Sequence, residues 1–276
     1  MKQKILVEGK WGHGGKIQSR LRHAIKRKLR PSVGKATLPF DWTRGISGKP
    51  VYNIKNQYQS DSCWGQAYSR LIQILRGGEE LSAKSAYSPI YAPGGGVVLS
   101  KGENEAYNLG LTTEAKVPST LNFNATEAFM EDTSWRTSKM IADCATRSGY
   151  QVVNVEKDID SIAEAIRDYG AVMFLLQGQN NNSWLSPMPI PPSNNQNLWG
   201  HYICTDANVP PMLNGKKMIR FYQSWGMGVG DGGFQYLSED YINSGYIADV
   251  FTFIPKYQFT PSIWDKIKEF LLLFSK

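Results

Sequence analysis

Cys63 sits in the run Lys55-Asn56-Gln57-Tyr58-Gln59-Ser60-Asp61-Ser62-Cys63-Trp64-Gly65-Gln66-Ala67. After the cysteine the pattern turns helical, with Ala67, Leu71, Ile72 and Leu75 on one face. A thiol in the first turn of a helix feels the positive end of the helix dipole, which predicts easier loss of its proton. Gln57, six positions upstream, carries an amide that can donate to a developing oxyanion. Such a pair can attack a carbonyl, and the attack needs a base. The chain has three histidines. His13 and His23 lie in a basic, Gly-rich N-terminal stretch, whereas His201 lies in the body, in Leu198-Trp199-Gly200-His201-Tyr202-Ile203-Cys204-Thr205. Alternation from Tyr202 onward predicts a strand, with His201 at its start after a glycine turn. In Gln223-Ser224-Trp225-Gly226 an amide could orient the imidazole and an indole could shield that bond from water.

Taken together, Gln57, Cys63-Trp64, His201 and Ser224-Trp225-Gly226, in this order, resemble the papain family of cysteine peptidases. The 138 residues from Cys63 to His201 suit a cysteine and histidine that meet across a cleft. The resemblance extends to Leu38-Pro39-Phe40-Asp41-Trp42, to Leu81-Ser82 with Gly94, Gly95 and Gly96, to Gly110-Leu111-Thr112-Thr113-Glu114, and to the segment from Ile159 to Val172. It covers roughly residues 38 to 255. It implies an α+β, papain-like two-lobed fold, with a helical left lobe led by the Cys63 helix and a β-barrel-like right lobe carrying His201. It also implies a cysteine-type endopeptidase. Cys63 and His201 form the thiolate–imidazolium pair, Gln57 and the Cys63 N–H receive the oxyanion, and Gln223 orients His201. Trp225 covers that contact and, with Gly94, Gly95 and Gly96, belongs to the substrate-binding wall. Peptides or proteins are the implied substrates, and no cofactor or metal is required.

Several residues depart from the family pattern. Gln223 stands for the family's asparagine, one methylene longer. Ser60 stands where most members have a disulfide cysteine. Asp61 replaces a glycine beside the nucleophile, and its charge opposes thiolate formation. Val229 replaces a second tryptophan. Two other functions stay open on these grounds: an inactive papain-fold binding or structural module, and a cysteine amidase acting on peptidoglycan peptides.

The elements that must position this chemistry are bounded by composition. The net charge of +7 divides unevenly: residues 1–37 hold eleven Lys/Arg against one Glu, net +10, and the remainder holds 20 against 23, net −3. We therefore divide the chain into a basic extension (1–37), a catalytic domain (38–256) and a C-terminal amphipathic helix (257–276). Within the extension, Ile17, Leu21, Ile25 and Leu29 predict a basic amphipathic helix from Lys16 to Arg30. It could dock on the acidic body, act as an inhibitory pro-segment, or meet an anionic surface or partner. At the C-terminus, Ile263, Trp264, Ile267, Phe270, Leu271 and Phe274 share one helical face. The Asn-, Ser- and Pro-rich stretch from Gln177 to Leu198 predicts a stiff loop before His201. Cys63, Cys144 and Cys204 make no disulfide framework, which favours a reducing, cytoplasmic compartment, with virion association also open. No apolar run is long enough to span a bilayer. The Gly226–Gly233 run reads as a turn between strands and the Gly94–Gly96 run lacks a P-loop's Lys-Ser/Thr, so neither predicts a nucleotide site.

Overall fold

A computed structural model describes residues 15–16, 32, 39–47 and 53–256. Helix α1 (Cys63–Arg76) begins at the candidate nucleophile and stops where Gly77 turns the chain at φ 70°, its N–H bonding back to Gln73 O at 2.8 Å. Ala67, Leu71, Ile72 and Ile74 on α1 are buried, as their helical spacing requires. Short helices follow: α2 (Ala83–Tyr87), capped by the Ser82 side chain, α3 (Leu99–Asn104), which runs into one π-helical turn (Glu105–Leu109), α4 (Glu127–Glu131) and α5 (Ser138–Ala145). They form the helical lobe.

The second lobe is a six-stranded antiparallel sheet, ordered β3 (Tyr150–Asn154), β8 (Ile247–Pro255), β4 (Met173–Gln179), β5 (Leu198–Thr205), β6 (Met218–Tyr222) and β7 (Phe234–Ser238). Helix α6 (Ile159–Tyr169), capped by Asp158, and the short α7 (Glu239–Asn243) flank it. Alternation along the strands divides two cores. Leu175, Tyr202, Cys204, Tyr222, Phe251 and Phe253 face the helical lobe and pack with Trp64, Tyr68 and Leu71 of α1. Phe174, Leu176, Ile203, Phe221 and Val250 pack on the other side with α6 and three tryptophans, Trp184, Trp199 and Trp225. Trp64 joins the lobes, with its ring centroid 5.0 Å from that of Tyr202 and 5.6 Å from that of Tyr68.

Three expectations need correction. His201 is not at a strand start: β5 begins at Leu198, and Gly200 and His201 already pair with Gln177 and Leu176 of β4. The hairpin partner extends the ladder through a glycine that alternation alone reads as a turn. For the same reason the loop is shorter than predicted, since 177–179 belong to β4, and a 3-10 turn (Asn182–Leu185) buries Trp184 at its base. Lys16 does not start a helix. Gly15–Lys16 form a strand, β1, parallel to β2 (Val97–Val98). The rest of the predicted N-terminal helix and the predicted C-terminal helix lie outside the described residues. The Gly226–Gly233 segment is a turn between β6 and β7.

Candidate active site

Antiparallel pairing sets His201 on the face of β5 shared by Trp199 and Ile203, and it turns the Tyr202 backbone toward α1. The Tyr202 N–H donates to Cys63 Sγ at 3.4 Å. The sulfur thus lies against the residue that follows His201, although 138 positions separate thiol and imidazole in the chain. His201 Nε2 is 2.9 Å from Gln223 Oε1. The Trp225 ring lies over His201, centroids 4.9 Å apart and planes tilted by 30°, and the Trp199 ring meets it edge-on at 6.0 Å.

Gln57 is tied to the segment after Gln223. Its N–H donates to Ser224 O at 2.8 Å, and its Oε1 accepts from Ser224 Oγ at 2.6 Å. One N–H of its Nε2 is spent on Ser60 O at 2.9 Å, which leaves the second for an oxyanion. Ser60 itself donates to Gln57 O at 2.6 Å and shares a 2.7 Å bond with Ser62. A hydroxyl therefore holds the loop at the position where the family resemblance places a disulfide. Cys63, Cys144 and Cys204 are free and buried.

Gly94, Gly95 and Gly96 all have positive φ, at 75°, 83° and 75°, a conformation in which a side chain is strained. A Cβ on Gly95 would come within 2.5 Å of Asp61 Oδ2, so the carboxylate of Asp61 lies against this strip. The strip is also anchored: Gly96 N–H donates to Tyr87 Oη at 2.8 Å, Tyr87 donates to Glu127, and Glu127 Oε2 accepts the Asp61 N–H at 2.6 Å. Burial raises the Glu127 carboxyl, which its hydrogen bonds from Tyr87 and Asp61 counter. Tyr87 and Glu127 were not singled out in the sequence.

Two readings of site residues are revised. The Cys63 thiol is not depressed in this form. Burial pushes it far above the ordinary range, the Tyr202 N–H opposes that rise, and the Asp61 and Glu127 carboxylates add to it. Both Cys63 and His201 have no exposed surface. Desolvation here outweighs the dipole of the helix start. Trp225 is 5% exposed and packed among His201, Trp184 and Trp199, so it shields the imidazole and offers no face to a substrate.

A residue that the sequence reading missed completes the site. Gln235 of β7 is fully buried and accepts from Gln223 Nε2 at 2.9 Å. The signal was a glutamine at an inward position of an alternating strand, next but one to buried Leu237. A cavity of about 550 Å³ lies at the far end of α1, lined by Arg76, Arg147, Tyr150 and Asp168 among others, away from Cys63. Among the described residues, no group of three or more His, Cys, Asp or Glu side chains is arranged to hold a metal, and no helix is long and apolar enough to cross a membrane.

No family model and no curated protein matches the chain. Solved structures do. Xylellain, a cysteine protease from Xylella fastidiosa, aligns at TM-score 0.68 with 17% identity, over 88% of this chain and 95% of that one. Digestive procathepsin L 3 of Tenebrio molitor aligns at 0.65 with 19% identity, over 90% and 78%. The bromelain protease of Ananas comosus, solved with the E64 inhibitor, aligns at 0.53 with 20% identity, over 74% and 93%. With its helical lobe, its antiparallel sheet and Cys63 at the head of the helix between them, the chain has the papain-like fold.

Proposed function

We propose that the chain is a cysteine-type endopeptidase. The observation that carries this reading is the contact of Cys63 Sγ with the Tyr202 N–H, while the adjoining His201 is bonded through Nε2 to Gln223. His201 takes the thiol proton and the thiolate attacks the peptide carbonyl carbon. The Cys63 N–H and the second N–H of Gln57 Nε2 receive the oxyanion. His201 then gives its proton to the leaving amine. Water, deprotonated by His201, hydrolyses the thioester and restores the thiol.

The raised thiol belongs to a covered site. Strand β1 of the basic N-terminal extension pairs with β2 directly after the glycine strip and lies close to β5. That placement supports the inhibitory reading of residues 1–37 among the alternatives open in the sequence. The absence of any disulfide among the three cysteines supports a reducing compartment. The test is incubation of the purified chain and of Cys63→Ala with a mixture of peptides and with an epoxide inactivator of papain-type thiols, followed by N-terminal sequencing of the products. We expect cleavage at internal peptide bonds and an adduct on Cys63, both absent in Cys63→Ala. An intact chain with no adduct, before and after removal of the extension, would refute the reading in favour of an inactive module.

A further inference from the structure

We propose that Gln235 is a positioning residue that fixes the tautomer of His201 through Gln223, with the backbone of the loop before β5 as the fixed end of the relay. The proposal rests on the peptidase reading for its consequence, but the tautomer stands by itself. It follows from counting donors and acceptors along a buried chain of amides.

The Gln235 amide meets two groups that can only accept: Trp184 O at 2.9 Å and Ser186 O at 2.6 Å. Only the NH₂ end of an amide can face two carbonyls, so both N–H groups of Nε2 are used and Oε1 must point the other way. There it meets Gln223 at 2.9 Å. Gln223 must therefore present its own NH₂ to Gln235, which turns its Oε1 toward His201. A backbone donor favours the same orientation, because Ser224 N–H also donates to Gln223 Oε1 at 2.9 Å. With two carbonyls at one end and one backbone N–H at the other, neither amide can flip without burying unpaired groups, at about 1–3 kcal/mol each. Gln223 Oε1 can only accept, so His201 Nε2 must carry the proton. The neutral imidazole then has its lone pair on Nδ1, the nitrogen remaining to take the thiol proton.

The relay explains how a glutamine can stand in the orienting position. Its extra methylene adds a rotatable bond, and the freedom that this brings is removed by a second glutamine on the neighbouring strand. Both side chains are fully buried. The anchor is firm: Trp184 is buried among Trp199, Trp225 and Tyr241, Gly230 N–H donates to Leu185 O at 3.1 Å, and Tyr236 N–H donates to Pro187 O at 2.8 Å. The first half of the Asn- and Pro-rich loop is thereby coupled to the catalytic base.

The test is ¹⁵N NMR of the histidine ring in the full chain with Cys63→Ser, at a pH where the imidazole is neutral, with the His201 signals identified by their loss in His201→Gln. We expect the Nε2–H tautomer in Cys63→Ser, and a mixture with the Nδ1–H form once Gln235→Met is added. Gln235→Leu likewise removes the acceptor toward Gln223 and should give the same mixture. In the active chain, Gln235→Met should lower kcat about tenfold and leave KM within about twofold. An Nδ1–H tautomer in the parent, or an unchanged tautomer in Gln235→Met, would overturn the proposal. Should Gln235→Met not fold, the parent tautomer and Gln235→Leu decide it. Lack of peptidase activity would refute the function and leave the tautomer result to stand or fall alone.

Discussion

Replacing Gln223 with asparagine gives the chain the residue that the papain resemblance leads one to expect, and the structure predicts that the proposed peptidase activity falls. The amide bridges two partners, His201 Nε2 and Gln235 Oε1, each at 2.9 Å. Removing one methylene draws the amide back by about 1.5 Å. The backbone cannot follow. Tyr222 is paired on both sides, with Cys204 and with Phe234, and Gln223 N–H donates to Gly233 O at 2.9 Å. Both contacts then stretch beyond hydrogen-bonding range. Leaving buried polar groups unpaired costs about 1–3 kcal/mol. If that cost falls on the oriented imidazole, kcat drops by roughly 5- to 150-fold. Because Gln223 is fully buried behind His201, KM should stay nearly constant. The assay is steady-state hydrolysis of a fluorogenic peptide by the chain with and without residues 1–37, with the rate of epoxide inactivation as a second measure. Gln223→Asn equal to or faster than the parent would show that the amide network does not orient the base, and would refute the reasoning.

Two further outcomes follow from charge and burial. The Asp61 carboxylate raises the Cys63 thiol, so Asp61→Asn should lower it. Alkylation of Cys63 by iodoacetamide, followed across pH, should move to lower pH, and an unmoved profile would show that Asp61 does not act on the sulfur. Glu105, in the π-helical turn, is buried with its carboxyl raised well above the ordinary range, chiefly by burial. The folded value lies above the unfolded one, so its contribution is fully present below the unfolded value and is lost as pH rises toward the folded one. Each unit of that interval costs about 1.4 kcal/mol. Glu105→Gln should match the parent in urea unfolding near pH 4 and exceed it at pH 8. Equal stability at both would indicate that the carboxyl is solvated.

The parts that were legible in the sequence are those carried by local pattern. The spacing of Ala67, Leu71 and Ile72 marked the buried face of α1 and put Cys63 at its head. Gln57 and the Gln223-Ser224-Trp225 run were marked by their order around Cys63 and His201, which resembles the papain family. What the sequence did not disclose depended on pairing at a distance. The start of β5 is decided by β4, which continues the ladder through Gly200. The role of Gln235 is decided by two carbonyls about fifty positions away. Trp225 looked like a surface available to substrate because no local signal announced that Trp184 and Trp199 would enclose it. The state of the thiol was misjudged because a helix start is visible in sequence, whereas the desolvation that overrides it is a property of the closed fold.

Three of the four departures from the family pattern are held by hydrogen bonds, one within the nucleophile loop and two between separate segments. Ser60, in the place of a disulfide cysteine, holds the nucleophile loop through Gln57 O and Ser62. Asp61, in the place of a glycine, has its N–H fixed by Glu127, which Tyr87 links to Gly96. Gln223, in the place of an asparagine, is held by Gln235. A single hydrogen bond contributes only about 0.5–1.5 kcal/mol net, so none of these replaces a covalent bridge by strength. Their effect is geometric. They are buried or half-buried, and breaking one leaves its partners unsatisfied, which makes alternative placements of the loop costly. Sulfur and imidazole come from different lobes, and their relative position is fixed by these cross-segment bonds together with the Trp64 contacts. A papain-like site can therefore be assembled without the family's disulfide and asparagine, provided that the polar residues that replace them come with partners of their own.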